Sequence, residues 1–274
     1  MRTIFVAMFS LFFVLTFSMC SGDSMAIEAA GPPKGSTTAR PVSAKMLPRL
    51  HLAGDSTMSD KVSLAYPERG WGQLLPDFMH PDLQIVNHAA NGRSTLRFAN
   101  EGRWQLLLSE LQAGDYVLLQ FGHNDQKISD PARYAAADST YQQYLTSFIE
   151  QAHAKGAIAM LATPICRRDF DEHGNLRDGL IDYANATRAV AKKLNVTLFD
   201  LHQLSCDDIR RFGLLTSQAY FIQIPAGLYQ QFPDGKTDNT HLNVVGATWI
   251  AQLFVKELKR QQHPLASYVW REML

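Results

Sequence analysis

Four short polar motifs in this chain carry the residue types that nucleophilic chemistry requires. They are Gly54-Asp55-Ser56-Thr57, Asn87-His88-Ala89-Ala90-Asn91-Gly92-Arg93-Ser94, Gly122-His123-Asn124-Asp125 and Asp238-Asn239-Thr240-His241. A serine hydroxyl is a weak nucleophile at neutral pH and needs a base within hydrogen-bond reach. His241 is the candidate base for Ser56. Asp238, three residues earlier, can accept the other imidazole N–H and fix the tautomer. Each residue also has an ordinary reading: Ser56 as a helix N-cap, Asn124 as a turn residue, Gly92 as a loop glycine, and Asp238 with His241 as a solvated turn. The chain supplies a control, because Gly22-Asp23-Ser24 repeats the first tripeptide with no strand ahead of it. Context separates the two, and the four motifs together favour chemistry.

Such motifs need a frame to bring them together. From about Leu47, short apolar runs alternate with longer periodic segments, the pattern of βαβ units around a parallel sheet. The runs at 50–53, 83–89, 116–122, 157–165 and 196–201 are the five expected strands, and the third is apolar enough to be central. The first three motifs follow the first three strands, and ligand sites in open α/β sheets lie beyond the carboxyl ends of strands. Ser139 and Gln142 have capping-box spacing ahead of Tyr144, Leu145, Phe148, Ile149 and Ala152, with Gly156 as a stop, which predicts a helix. Asp178 opens a second helix ending near Asn195. A last helix over 244–261 places Val245, Trp249 and Leu253 on one side and Ile250, Phe254 and Leu258 beside them, so it should cover one sheet face.

Composition agrees with one globular domain. The chain has 274 residues, 46% hydrophobic and 19% charged, enough apolar surface for a core. With 26 Lys+Arg against 26 Asp+Glu and no basic run, nucleic acid is not an expected partner. Arg2 and the apolar stretch 4–17 read as a signal peptide over residues 1–20, too short for a permanent span. Phe17-Ser18-Met19-Cys20 ahead of Ser21-Gly22-Asp23-Ser24 resembles a bacterial lipoprotein cleavage site. Membrane anchoring through a lipid on Cys20 and ordinary cleavage a few residues later both stay open, and either makes the protein exported: periplasmic, an outer-membrane lipoprotein, or secreted. Residues 21–46, rich in Gly, Pro, Ser, Thr and Ala, read as a flexible tether, which leaves 47–274 as the domain. Two further cysteines, Cys166 and Cys206, are either bridged in an oxidising compartment or separate buried small hydrophobes, the commoner case for two cysteines in a domain this size. None of the nine histidines stands in HExxH or zinc-finger spacing, so no metal and no cofactor are expected.

Ser56, Gly92, Asn124 and His241, in that order, resemble the four namesake residues of the SGNH (GDSL-type) hydrolases. Gly70-Trp71-Gly72-Gln73, Asn91-Gly92-Arg93-Ser94, Phe121-Gly122-His123-Asn124-Asp125, and Thr163-Pro164 followed by Arg167-Arg168-Asp169-Phe170 are similar to rhamnogalacturonan acetylesterases within that superfamily. The resemblance implies a three-layer α/β/α sandwich around a five-stranded parallel sheet, the flavodoxin-like SGNH hydrolase fold. It also implies a carbohydrate O-acetylesterase acting on acetylated polysaccharide, with Ser56, Asp238 and His241 catalytic. The Ser56 and Gly92 backbone N–H groups and the Asn124 amide would hold the oxyanion, with Gly92 leaving room for the acyl group. Pectic backbones carry carboxylates that arginine grips well, so Arg93, Arg167 and Arg168 are candidate substrate contacts. Trp71 and His123 are further candidates, with the core and a structural place as their ordinary readings. A lipase, lysophospholipase or thioesterase on the same scaffold, and a non-catalytic glycan-binding lipoprotein, are the alternatives.

Overall fold

The computed structural model describes residues 47–270; the expected leader, Cys20 and the whole of the tether lie outside them. The chain runs β1 (Arg49–Gly54), α1 (Trp71–Leu74), β2 (Gln84–Asn87), α2 (Thr95–Asn100), α3 (Arg103–Glu110), β3 (Tyr116–Gln120), α4 (Thr140–Ala154) and β4 (Ile158–Ala162). It continues through α5 (Ile181–Leu194), β5 (Thr197–Phe199), α6 (Leu201–Thr216), β6 (Phe221–Ile224), β7 (Lys236–Leu242) and α7 (Val244–Arg260). The first five strands form one parallel sheet in the order β2-β1-β3-β4-β5. Every expected strand is present, with ends displaced by no more than three residues.

Alternation along the strands divides the core into two layers. Leu50 and Leu52 of β1, Leu118 of β3, Met160 and Ala162 of β4 and Phe199 of β5 face one way, with Trp71, Leu201, Ile209, Ile250 and Phe254. Ala53, Val117, Leu119, Ala159 and Leu161 face the other, with Phe98, Trp104, Tyr141, Phe148 and Val190. Right-handed crossovers explain which helix lies where: reversing direction along the sheet moves the connection to the opposite face. The step from β1 out to β2 passes through α1 on the first face. The steps from β2 back over β1 to β3, β4 and β5 pass through α2, α3, α4 and α5 on the second. α6 and α7 then return to cover the first face, which completes three layers. The reversal leaves a crevice between the carboxyl ends of β1 and β3, where ligand sites form in this architecture.

Several local expectations are corrected. α4 forms where expected, but Ser139 makes no side-chain cap; its hydroxyl turns to Asp138, while the Gln142 amide bonds Ala137 O. The buried stripe of Tyr141, Leu145, Phe148, Ile149 and Ala152 holds the helix instead. α5 begins at Ile181, because the Asp178 carboxylate bonds the Leu180 N–H and His202 Nε2 rather than capping a first turn. Val245 is 55% exposed in the first turn of α7, outside the buried stripe formed by Trp249, Ile250, Leu253, Phe254 and Leu258. Residues around Asp238, for which no strand was expected, form an antiparallel hairpin strand, β7, paired with β6. Cys166 and Cys206, for which the unbridged state was favoured, are joined by a disulfide.

Candidate active site

Ser56 stands two residues past the end of β1 in a tight turn, where Asp55 O accepts from the N–H groups of Met58 and Ser59 at 3.2 and 3.1 Å. No helix follows directly, so the N-cap reading fails: the Ser56 hydroxyl instead lies 2.8 Å from His241 Nε2. The turn is braced from within. Asp55, fully buried, accepts from the Thr57 N–H and hydroxyl at 2.9 and 2.8 Å and meets His123 Nδ1 at 3.1 Å. Burial pushes the Asp55 carboxyl up, but His123 and the Thr57 bonds outweigh it and hold it below the ordinary range. Burial also pushes His123 down against the pull of Asp55, so a neutral imidazole donates to a carboxylate. Beneath the turn, the Trp71 N–H bonds Thr57 O at 2.9 Å and its indole N–H bonds Gln120 Oε1 at 2.8 Å. A Cβ on Gly70 would come within 2.2 Å of Ser59 O, so only glycine lets these segments meet.

The opposite partner comes from β7. Asp238 Oδ2 lies 2.6 Å from His241 Nδ1, and its Oδ1 accepts from the backbone N–H groups of Thr240 and His241 at 2.8 and 2.9 Å. Half-burial would raise the Asp238 carboxyl; the His241 bonds outweigh this and hold it far below the usual carboxylate range. It therefore stays ionised, fixing the imidazole with Nδ1–H toward Asp238 and Nε2 free to accept from Ser56. The strand is strapped to the Ser56 turn through segment 59–70. Glu68 receives Lys61 Nζ at 3.0 Å and Lys236 Nζ at 3.1 Å, and the Arg69 N–H bonds Leu242 O at 3.0 Å. Lys61 Nζ and the Ser59 hydroxyl both donate to Asn91 Oδ1, which ties the Gly92 loop to the same segment.

Three donors remain to face a reacting carbonyl. Among the described residues, the backbone N–H groups of Ser56 and Gly92 donate to no protein acceptor. The Asn124 amide gives one hydrogen to Arg93 O at 3.2 Å and keeps the other. Gly92 has φ of +74°, the left-handed region. A Cβ there would meet only Arg133 Nη1 at 3.8 Å, so the backbone rather than crowding by neighbours accounts for the glycine. Next to the site, Asp125 accepts from Thr95 and Gly122, yet burial pushes its carboxyl up to about 7.

The expected substrate contacts are largely corrected. Trp71 is fully buried and serves as the strut under the Ser56 turn. His123 is 2% exposed and bonded to Asp55. Arg168 is 5% exposed and held by the Ser217 hydroxyl, Asn239 Oδ1 and Leu214 O. Arg93 pairs with Glu101 at 2.8 and 3.1 Å, a carboxylate shared with Arg97 and Arg103. Arg167 is half-buried against His123 O and the Gln126 amide oxygen. Sequence reasoning missed Lys61 and Arg133, which lie in no motif. Among the described residues, two groups could offer metal ligands: Cys166, His202 and Cys206, whose sulfurs are joined to each other, and His51, His88 and Glu110. In the second, the ring centroids lie 5.3 Å apart across a 3.0 Å N···N contact, the spacing of two imidazoles end-on in one hydrogen bond rather than converging on an ion.

Comparison with known proteins agrees with this geometry. Residues 52–249 match the model of the GDSL-like Lipase/Acylhydrolase family. A rhamnogalacturonan acetylesterase of Bacillus subtilis (strain 168) is 37% identical over 221 residues, covering 81% of this chain and 94% of the relative. A probable rhamnogalacturonan acetylesterase of the same organism is 33% identical over 227 residues, covering 83% of this chain and all of the relative. The crystal structure of B. subtilis YxiM superposes with a TM-score of 0.67 at 29% identity, covering 79% of this chain and 57% of that one.

Proposed function

We propose that this chain, which belongs to the GDSL-like lipase/acylhydrolase family and is a carboxylic ester hydrolase, is an exported esterase that removes acetyl groups from acetylated pectic polysaccharide. The observation that carries the chemistry is the continuous chain from Ser56 Oγ through His241 to Asp238, accompanied by the Ser56 and Gly92 N–H groups and one Asn124 amide hydrogen, which among the described residues no protein acceptor takes. His241 Nε2 takes the Ser56 proton as Oγ bonds the acetyl carbonyl carbon, and the carbonyl oxygen becomes an anion between Ser56 N–H, Gly92 N–H and the Asn124 amide. His241 returns the proton to the departing sugar oxygen, leaving acetyl-Ser56. Water, deprotonated by the same imidazole, attacks the acyl carbon; acetate leaves and Ser56 regains its proton.

The substrate class rests on the relatives: two B. subtilis proteins aligned over most of their length are named as rhamnogalacturonan acetylesterases, one of them as probable. Export is supported by the apolar leader and by the Cys166–Cys206 disulfide, which persists in oxidising compartments. The test is acetate release across acetylated rhamnogalacturonan, acetylated xylan and a long-chain acyl ester at matched ester content. The reading predicts the highest kcat/KM on rhamnogalacturonan, and faster turnover of xylan or the fatty ester would contradict it.

A further inference from the structure

Among the arginines near the oxyanion donors, Arg133 stands apart. Its Nη1 lies 3.5 Å from Asn124 Oδ1 and 3.8 Å from where a Cβ on Gly92 would stand, so the guanidinium flanks two of the three proposed oxyanion donors at once. Its Nε is paired with Asp130 at 2.5 Å, and among the described residues Nη2 donates to no protein acceptor. The side chain is 26% exposed, enough to meet a ligand. The neighbouring cations are otherwise engaged: Arg93 lies in the Glu101 cluster, Arg168 is buried, and Arg167 is committed to Gln126 and His123. Lys127, exposed on the same loop, sits within the field of Arg133 and Arg167; burial first, then these two charges, pushes its ammonium down. The rim on the Asn124 side is therefore cationic. A polymer whose acetyl group is held between Gly92 and Asn124 therefore lies beside the Arg133 guanidinium.

We infer that Arg133 is the specificity-determining contact, seating a carboxylate of an acidic polysaccharide through the Nη edge that its pairing with Asp130 leaves open. The inference rests on the acetylesterase reading and names the charge of its substrate. A guanidinium offers a carboxylate two parallel donors, and a hydrogen bond between charged partners is stronger than a neutral one. Asp130 orients the side chain through Nε and leaves the Nη groups directed elsewhere. Arg133 also touches the Asn124 amide oxygen, so a role confined to holding Asn124 must be told apart from one in holding substrate.

The experiment compares acetylated rhamnogalacturonan with the same polymer after reduction of its carboxyl groups to alcohols, both brought to equal acetyl content. Wild-type enzyme should favour the acidic form in kcat/KM by about tenfold or more, and the preference should shrink with added salt. Arg133→Gln should remove most of that preference, and Arg133→Lys, which keeps the charge, should retain part of it. A wild-type enzyme indifferent to reduction, or a preference that survives in Arg133→Gln, would overturn the inference. An equal loss on both polymers in Arg133→Gln would also overturn it and leave Arg133 as a support for Asn124. Failure of the wild type to release acetate from either form would instead overturn the acetylesterase reading itself.

Discussion

Asn124 shows how much of the site was legible one residue at a time. Its motif marked it as a donor, and its side chain lies 4% exposed with one amide hydrogen on Arg93 O and the other unengaged. A donor aimed at a charge that develops only in the transition state affects turnover far more than binding. Asn124→Ala should therefore lower kcat by about a hundredfold or more with little change in KM, measured on an aryl acetate. A change confined to KM would mean that Asn124 binds substrate and does not stabilise the oxyanion. Ser56, Gly92, Asp238 and His241 were legible for the same reason: each belongs to a short motif whose neighbours supply local geometry, as Asp238 does by accepting the backbone N–H of His241. Arg133 and Lys61 were not, because their importance arises from contacts with Asn124, Gly92, Asn91 and Glu68, which no local pattern announces. Arg93 misled because its closeness in sequence to Gly92 says nothing of the Glu101 carboxylate that holds it.

Among the elements, strands with apolar runs could be read and the strand that carries the base could not. β7 is Lys-Thr-Asp-Asn-Thr-His-Leu, polar almost throughout, and it becomes a strand by pairing with β6, whose Phe221, Ile222 and Ile224 are buried. The Cys166–Cys206 bridge is a second link invisible to spacing. It ties the segment after β4 to α6, and closing a 40-residue separation typically stabilises a fold by about 2–4 kcal/mol. That segment carries Arg167 and Arg168, so the bridge also restrains residues beside the site. The proposed export makes a joint prediction for protein taken from its native host and alkylated before analysis. Its mass should show no free thiol at Cys166 or Cys206 and a chain lacking Met1. An intact Met1 with two alkylated cysteines would contradict export.

At the scale of the whole molecule, chain order explains why distant motifs converge. β2 and β3 lie on either side of β1, so the loops after these three strands, carrying Ser56, Gly92 and Asn124, meet at one end of the sheet. The hairpin then brings His241 in from the end of the chain. Five strands and their parallel pairing could be read from the alternation of apolar runs and helical periodicity, whereas strand order depends on which edges the crossovers choose. In the proposed reaction Ser56 takes the acetyl group from a polysaccharide. The most direct measurement is acetate release from acetylated rhamnogalacturonan by wild type and Ser56→Ala, with thermal melting used to confirm that both are folded. Without its nucleophile the remaining site has nothing for His241 to activate, and the variant should be slower by about a thousandfold or more. Turnover by folded Ser56→Ala within a few-fold of wild type would contradict the account.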